Sequence, residues 1–178
     1  REEISTPGEI SAGEITMPKT RHITVYQFDE LDEKAKERAR DWYRSAGLDY
    51  DWYESTYDDA AEVGLEITGF DVGRGSECTG KLTKSVAESI KAILKNHGEM
   101  CETYKTATQF KAGLELLDPE SDEYDNELET LEKEYLEALC EDYLSILRAE
   151  FEYLYTAESV DENILANEYE FLEDGTRA

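Results

Sequence analysis

The sequence predicts an α+β fold, in which a small antiparallel or mixed sheet of three to four strands packs with five to six helices. Two observations favour this class. Short alternating runs of β-forming residues lie near positions 23–28, 65–82 and 169–172, and the stretches between them repeat apolar residues every three or four positions. The 178-residue chain is 39% apolar, which suffices for a core and excludes wholesale disorder. We therefore expect a single domain over residues 21–178.

The elements of this domain follow from periodicity and from residues that cap or end helices. Asp29 and Asp51 are the expected N-caps of the first two helices, which are expected to end at Gly47 and Gly64. In chain order the predicted elements are strand 23–28, helix 29–46, helix 52–63, strand 65–70, strand 76–82, helix 83–96, helix 99–117, helix 119–155, helix 159–166 and strand 169–172.

The first 20 residues differ in composition from the rest of the chain. A short pattern, Glu-Ile-Ser or Glu-Ile-Thr, begins at positions 3, 9 and 14, with Pro and Gly between its copies. Because this segment sustains neither a helical nor a strand period, we expect residues 1–20 to form a flexible N-terminal arm.

The predicted helix 119–155 is long and acidic. Apolar residues recur along it every three or four positions, and a second apolar stripe joins from Leu136 onward. We therefore expect its second half to be buried and its first half to stand largely in water. The narrow apolar stripe of the first half, from Leu128 to Tyr135, is a possible homodimer contact.

Negative charge is concentrated in the C-terminal third. The chain carries 44 acidic and 18 basic residues, a net charge of −26, and residues 112–178 hold 22 of the acids but only 3 of the bases. This charge disfavours direct binding to nucleic acid or to an anionic membrane. There is no 18-residue apolar run and no signal-peptide pattern at the N-terminus, so we expect a soluble, cytoplasmic protein.

The first half of the long helix is the candidate site. Residues 122–137 contain eight acids and a single base, Lys133. Acids three or four positions apart repel each other by a few tenths of a kcal/mol, so the uncompensated run indicates a field that attracts a basic surface. Solubility and adaptation to high salt are alternative explanations. The predicted protein-binding residues are Asp122, Glu123, Asp125, Glu127, Glu129, Glu132, Glu134 and Glu137.

Motifs for catalysis, metal binding or a cofactor are not recognisable. HExxH, GxSxG and Walker patterns are missing, and His22 and His97 are expected in solvent-facing loops. Residues 118–129 have the acidic density of a calcium loop but lack its central glycine. We therefore expect a non-enzymatic protein with no metal and no cofactor. The cysteines, which form no CxxC pair, are expected to be reduced apolar fillers: Cys78, Cys101 and Cys140.

Two segments near the ends of the domain carry longer patterns. The first begins at Tyr26 and reads YxFxELxxxAKxxAxxW, and the second, residues 166–175, reads ANEYEFLEDG. Together they resemble a widespread, largely uncharacterised family of tailed-phage and prophage proteins. The resemblance covers about residues 23–80 and 150–176, and no family pattern is recognisable in residues 83–148. The resemblance implies a small protein made by a phage inside a bacterium, and it carries no catalytic motif.

Charge and resemblance together lead to one functional hypothesis. We expect a phage-encoded inhibitor of a host nucleic-acid-targeting defence complex, of anti-CRISPR or anti-restriction type, in the host bacterial cytoplasm. Its acidic helix would act as a DNA mimic in the basic groove of a nucleic-acid-binding host protein or ribonucleoprotein. The alternative is a non-catalytic adaptor or antitoxin-like neutraliser, whose apolar patch would comprise Trp42, Tyr43, Trp52 and Tyr53.

Overall fold

The computed structural model describes residues 22–47 and 50–178, and the expected N-terminal arm lies outside them. Within these ranges six α-helices and four short β-strands confirm the α+β class. None of the described helices is both long enough and apolar enough to cross a membrane. In chain order the elements are β1 (Tyr26–Gln27), α1 (Glu33–Ala46), α2 (Glu54–Glu62), β2 (Leu65–Asp71), β3 (Glu77–Leu82), α3 (Val86–Asn96), α4 (Glu102–Leu116), α5 (Tyr124–Leu154), α6 (Ala157–Ala166) and β4 (Glu170–Phe171).

The four strands form two separate antiparallel pairs, where the sequence suggested one sheet. β2 and β3 make a hairpin in which Leu65 lies opposite Leu82. β1 pairs with β4, so that Tyr26 lies opposite Phe171. A 3-10 turn at Phe28–Glu30 ends β1 after two residues. Each pair packs into a different apolar cluster, which keeps the two pairs apart.

The larger apolar cluster lies where α5 crosses the β2–β3 hairpin, α3 and α4. Leu65, Ile93, Tyr135 and Leu139 are among its fully buried side chains. The Tyr135 hydroxyl lies 2.8 Å from Ser89 Oγ, and this hydrogen bond satisfies the polar end of the buried ring. Most of the buried residues of α5 lie in the second half of the helix, as the double apolar stripe there predicts.

The apolar stripe on the first half of α5 packs against α4. The ring of Tyr135 lies edge-on to Phe110, with 5.3 Å between centroids. Leu131 lies so close to Gly113 that a Cβ there would approach its Cδ1 to 3.2 Å. Leu131 and Tyr135, which belong to the stripe considered for pairing with a second copy, therefore pack within the fold.

The smaller apolar cluster joins the two ends of the domain through α1, α6 and β4. Trp42 of α1 packs edge-on against Phe171 of β4, at 5.7 Å between ring centroids. Arg40 reaches from α1 to α6, where Nε and Nη2 donate to the two carboxylate oxygens of Asp161 at 2.7 and 2.8 Å. The two terminal segments with family-like patterns are thus packed on each other.

Several helix boundaries differ from those expected, because local turns precede the helices. Asp32, and not Asp29, caps α1 by accepting a hydrogen bond from the Ala35 backbone N–H at 2.8 Å. α5 begins at Tyr124 instead of residue 119, since the Ser121 N–H donates to the Asp118 carbonyl and closes a turn. Helix α2 likewise begins at Glu54, two residues after the expected start.

Candidate acidic protein-binding surface

The structure places all eight candidate carboxylates on one stretch of chain. Asp122 and Glu123 lie in the turn before α5, and the other six lie on its first four turns. Seven of the eight residues are exposed and Glu132 is half-buried. None of them forms an ion pair with another residue in the described ranges. We call these eight residues the acidic surface.

One row of the acidic surface faces α4. Glu123, Glu127 and Glu134 line a cleft of about 500 Å³ between the end of α4 and the start of α5, together with Leu117 and Leu131. Every charged side chain that lines this cleft is a carboxylate. The cleft therefore brings three carboxylates close together, which increases the local negative potential.

The remaining carboxylates extend the surface around the helix. Asp125, Glu129 and Glu132 follow one another at spacings of four and three, so that they share a second face of α5. Glu137 lines a separate cleft beside β3, together with Glu77. The helix thus presents carboxylates on both sides of the stripe that it buries.

The aromatic residues of the alternative hypothesis do not form one patch. Trp42 and Tyr43 both pack against Tyr169, at 5.2 and 6.4 Å between ring centroids. Trp52 and Tyr53 instead pack against Phe70 of β2, at 5.6 and 5.2 Å. All four rings are half-buried in two different aromatic groups, so they serve packing within the chain.

A second polar cluster, which no sequence motif indicates, joins α2, α5 and the turn between α3 and α4. The expectation of a solvent-facing His97 is wrong, since only 10% of its side chain is exposed. Its Nδ1 lies 2.7 Å from Thr103 Oγ1, and its Nε2 lies 3.4 Å from Asp59 Oδ1. The Tyr143 hydroxyl donates to Asp59 Oδ2 at 2.7 Å. Burial, and then the bond to Asp59, raises the pKa of Tyr143 above its usual range.

The neighbouring Asp142 is also perturbed. Burial raises the pKa of its carboxyl group, and the side chain of Thr106 opposes this shift. Glu102 and Glu141 raise the pKa further by charge repulsion. The carboxyl group therefore holds its proton more tightly than a solvent-exposed aspartate does.

The three cysteines are free thiols, and Cys78 and Cys140 interact with each other between β3 and α5. Cys140 is buried and Cys78 half-buried, as apolar fillers would be, whereas Cys101 is exposed at the start of α4. The expectation of a filler is thus wrong for Cys101. Across the described ranges, His, Cys, Asp and Glu side chains form no group of three or more that could hold a metal ion.

No protein-family model, curated protein or solved structure matches the chain.

Proposed function

We propose that the protein is a non-catalytic inhibitor, which occupies the basic nucleic-acid groove of a partner protein or ribonucleoprotein with its acidic surface. The observation that carries this proposal is the exposure of these carboxylates without ion-pair partners. Each of them is free to form a charge-assisted hydrogen bond with a lysine or arginine of a partner.

The charge density supports competition with a polynucleotide. At about 1.5 Å per residue, residues 122–137 extend over about 24 Å. Eight carboxylates over this length give about one charge per 3 Å, and a single DNA strand carries one phosphate per about 3.4 Å. The carboxylates wind around a helix axis, so the likeness concerns the density of charge and not its path.

The packing of α5 also favours binding. The second half of the helix is anchored in the larger apolar cluster, and the first half continues it without a break. The acidic residues are therefore held on a preformed helix, and a partner need not order this segment when it binds. The narrower proposal, a phage-encoded inhibitor of anti-CRISPR or anti-restriction type in a bacterial host, rests on the resemblance of the two terminal segments.

The experiment compares two variants that remove the same number of charges. The wild type and both variants are used to capture proteins from a bacterial lysate at low salt. Each is then tested for its ability to displace DNA or RNA from the protein that the wild type retains. The test variant changes four acids of the acidic surface to Gln, namely Glu123, Glu127, Glu134 and Glu137. The control variant changes four exposed acids elsewhere to Gln, namely Glu62, Glu152, Glu158 and Glu162.

The test variant is expected to compete much less well than the control. At about 0.5–1 kcal/mol for each lost ion pair, four losses predict a decrease of about 30- to 1,000-fold in affinity. Wild-type competition should also weaken steeply between about 50 and about 500 mM NaCl. Equal potency of the test variant and the wild type, or equal losses in the two variants, would remove the acidic surface from the binding site.

A further inference from the structure

A cleft of about 600 Å³ lies between α3 and α4 and has an apolar floor. α3 contributes Ala87, Ile90 and Leu94, which share one face of the helix, and α4 contributes Leu114. Ile90 is buried in the larger apolar cluster, and Leu94 and Leu114 are half-buried against that cluster. Sites for small ligands have volumes of about 300–1,000 Å³ and mostly apolar linings. The core therefore holds a preformed apolar surface of suitable size at this position.

The rim of the same cleft is basic. Lys91 and Lys95 extend from α3 and Lys111 extends from α4, so that ammonium groups lie on both walls. Among the described residues that line the cleft, the one carboxylate is Glu115, at 3.9 Å from Lys111 Nζ. Lys91 and Lys95 form no ion pair with another described residue. We call this site the lysine cleft.

The charge of the lysine cleft is opposite to that of the chain. Three ammonium groups and one carboxylate leave the cleft with a net positive charge, whereas the chain as a whole has a net charge of −26. Three of the ten lysines of the chain line this one cleft. Because most anions are repelled by the rest of the surface, a local excess of unpaired ammonium groups favours an anion at this position.

Floor and rim together select one class of ligand. The ammonium groups favour an anionic group, and the apolar floor favours an alkyl chain that removes it from water. Lysine presents a compact charge without the planar fork of arginine, so the rim suits either a carboxylate or a phosphate. A floor of four residues is too small for a stable protein interface, which needs about 20–30 residues on each side.

We infer that the lysine cleft binds an amphipathic anion, in which a single alkyl chain ends in a carboxylate or a phosphate group. The alkyl chain would lie on Ile90, Leu94 and Leu114, and the anionic group would lie between the lysines of the two walls. The inference goes beyond the proposed function and does not depend on it, because the lysine cleft shares no residue with the acidic surface.

The test follows the methyl signals of Leu94 and Leu114 by NMR while sodium octanoate is added to the full-length protein, below the concentration at which octanoate forms micelles. We expect saturable shifts of both residues. Leu165 of α6, which is exposed outside the cleft, serves as the internal reference and should not follow the same curve. If Leu94 and Leu114 do not respond, or if Leu165 responds equally, the inference is wrong.

Related ligands test the two parts of octanoate separately. Hexanoate should bind about tenfold more weakly, because two fewer methylene groups are buried. Sodium acetate, which has the charge but almost no chain, should cause no saturable shift. Octylammonium chloride, which has the chain but the opposite charge, should bind more weakly than octanoate. Binding of octylammonium as tight as that of octanoate would overturn the inference.

Matched variants locate the binding in the lysine cleft. Lys91→Gln combined with Lys95→Gln should weaken octanoate binding by about five- to thirtyfold, through the loss of two exposed ion pairs. Lys81→Gln combined with Lys105→Gln removes two exposed charges outside the cleft, and should change the affinity by less than about twofold because salt screens distant charges. Equal losses in the two double variants would contradict binding in the cleft. Since Lys91 and Lys95 are exposed and unpaired, their replacement should leave the fold intact.

Octyl phosphate separates the two anionic groups. Tighter binding of octyl phosphate than of octanoate supports an alkyl phosphate as the ligand. Tighter binding of octanoate supports a fatty acid.

Discussion

Gly175 lies where the C-terminal tail turns against α1, and replacing it by alanine tests how closely the two ends of the domain are joined. Its φ is +83°, in the left-handed region that alanine rarely adopts. A Cβ at this position would lie 2.0 Å from the carbonyl oxygen of Ala35 and 2.7 Å from its carbonyl carbon. Both atoms belong to the backbone of α1, so relief of the overlap requires the tail or the helix to move.

Two energies add in Gly175→Ala. The left-handed backbone costs alanine about 1–2 kcal/mol, and a displacement of packed structure costs about 1–3 kcal/mol. Their sum centres on about 3.5 kcal/mol of lost unfolding free energy. For a chain of this length, each kcal/mol lowers Tm by about 2–4 °C, so we expect a decrease of about 7–14 °C.

Gly47→Ala is the matched control. Gly47 also has a positive φ, +77°, but no heavy atom lies within 4 Å of the position of its Cβ. This variant should therefore show the backbone cost alone, about 1–3 kcal/mol at the φ of +77° and ψ of 172° that Gly47 adopts. Urea unfolding followed by far-UV circular dichroism measures both losses. If Gly175→Ala loses no more stability than Gly47→Ala, the close approach of the tail to α1 is refuted.

Three further substitutions or reactions test other parts of the structure. Asp142→Asn should stabilise the protein near neutral pH but not below about pH 4. Folding raises the pKa of the Asp142 carboxyl group, so the wild type loses stability as the pH rises above the pKa of an unfolded aspartate, about 3.9. A difference in Tm that does not change with pH would contradict this. Cys101 should react with a thiol reagent in the native protein, whereas Cys140 should react only on unfolding. Arg40→Met should lower the unfolding free energy by about 2–3 kcal/mol, because the Arg40 side chain is only 11% exposed and its removal leaves the Asp161 carboxylate unpaired. Adding Asp161→Asn should recover part of that loss. If the losses of the two substitutions simply add, the ion pair does not stabilise the fold.

Local patterns were sufficient to predict most helices and the β2–β3 hairpin. The apolar spacing of α5 persists over many turns, so its position and its two unlike halves could be derived from the sequence. The same pattern predicts which side chains face water, and the acidic surface is accordingly exposed where we expected it.

Contacts between distant segments could not be predicted in this way. The pairing of Tyr26 with Phe171 joins the two ends of the domain. Nothing in the local sequence of β1 or β4 shows that these strands pair with each other and not with the β2–β3 hairpin. The side chain of His97 lies beside Asp59, which comes from another helix and is itself bonded to Tyr143 of α5. Its own neighbours, Asn96 and Gly98, form a sequence typical of an exposed turn.

Because the carboxylates on the first half of α5 are not neutralised, dissolved salt should affect the stability of the protein and its proposed binding in opposite directions. Cations that gather around the free helix screen its internal repulsion, so the isolated protein should become harder to melt as ionic strength rises. The same ions would weaken the proposed complex with a basic groove. Conditions that best stabilise the purified protein are therefore those that would weaken the proposed complex most, and a search for a partner should begin at low ionic strength.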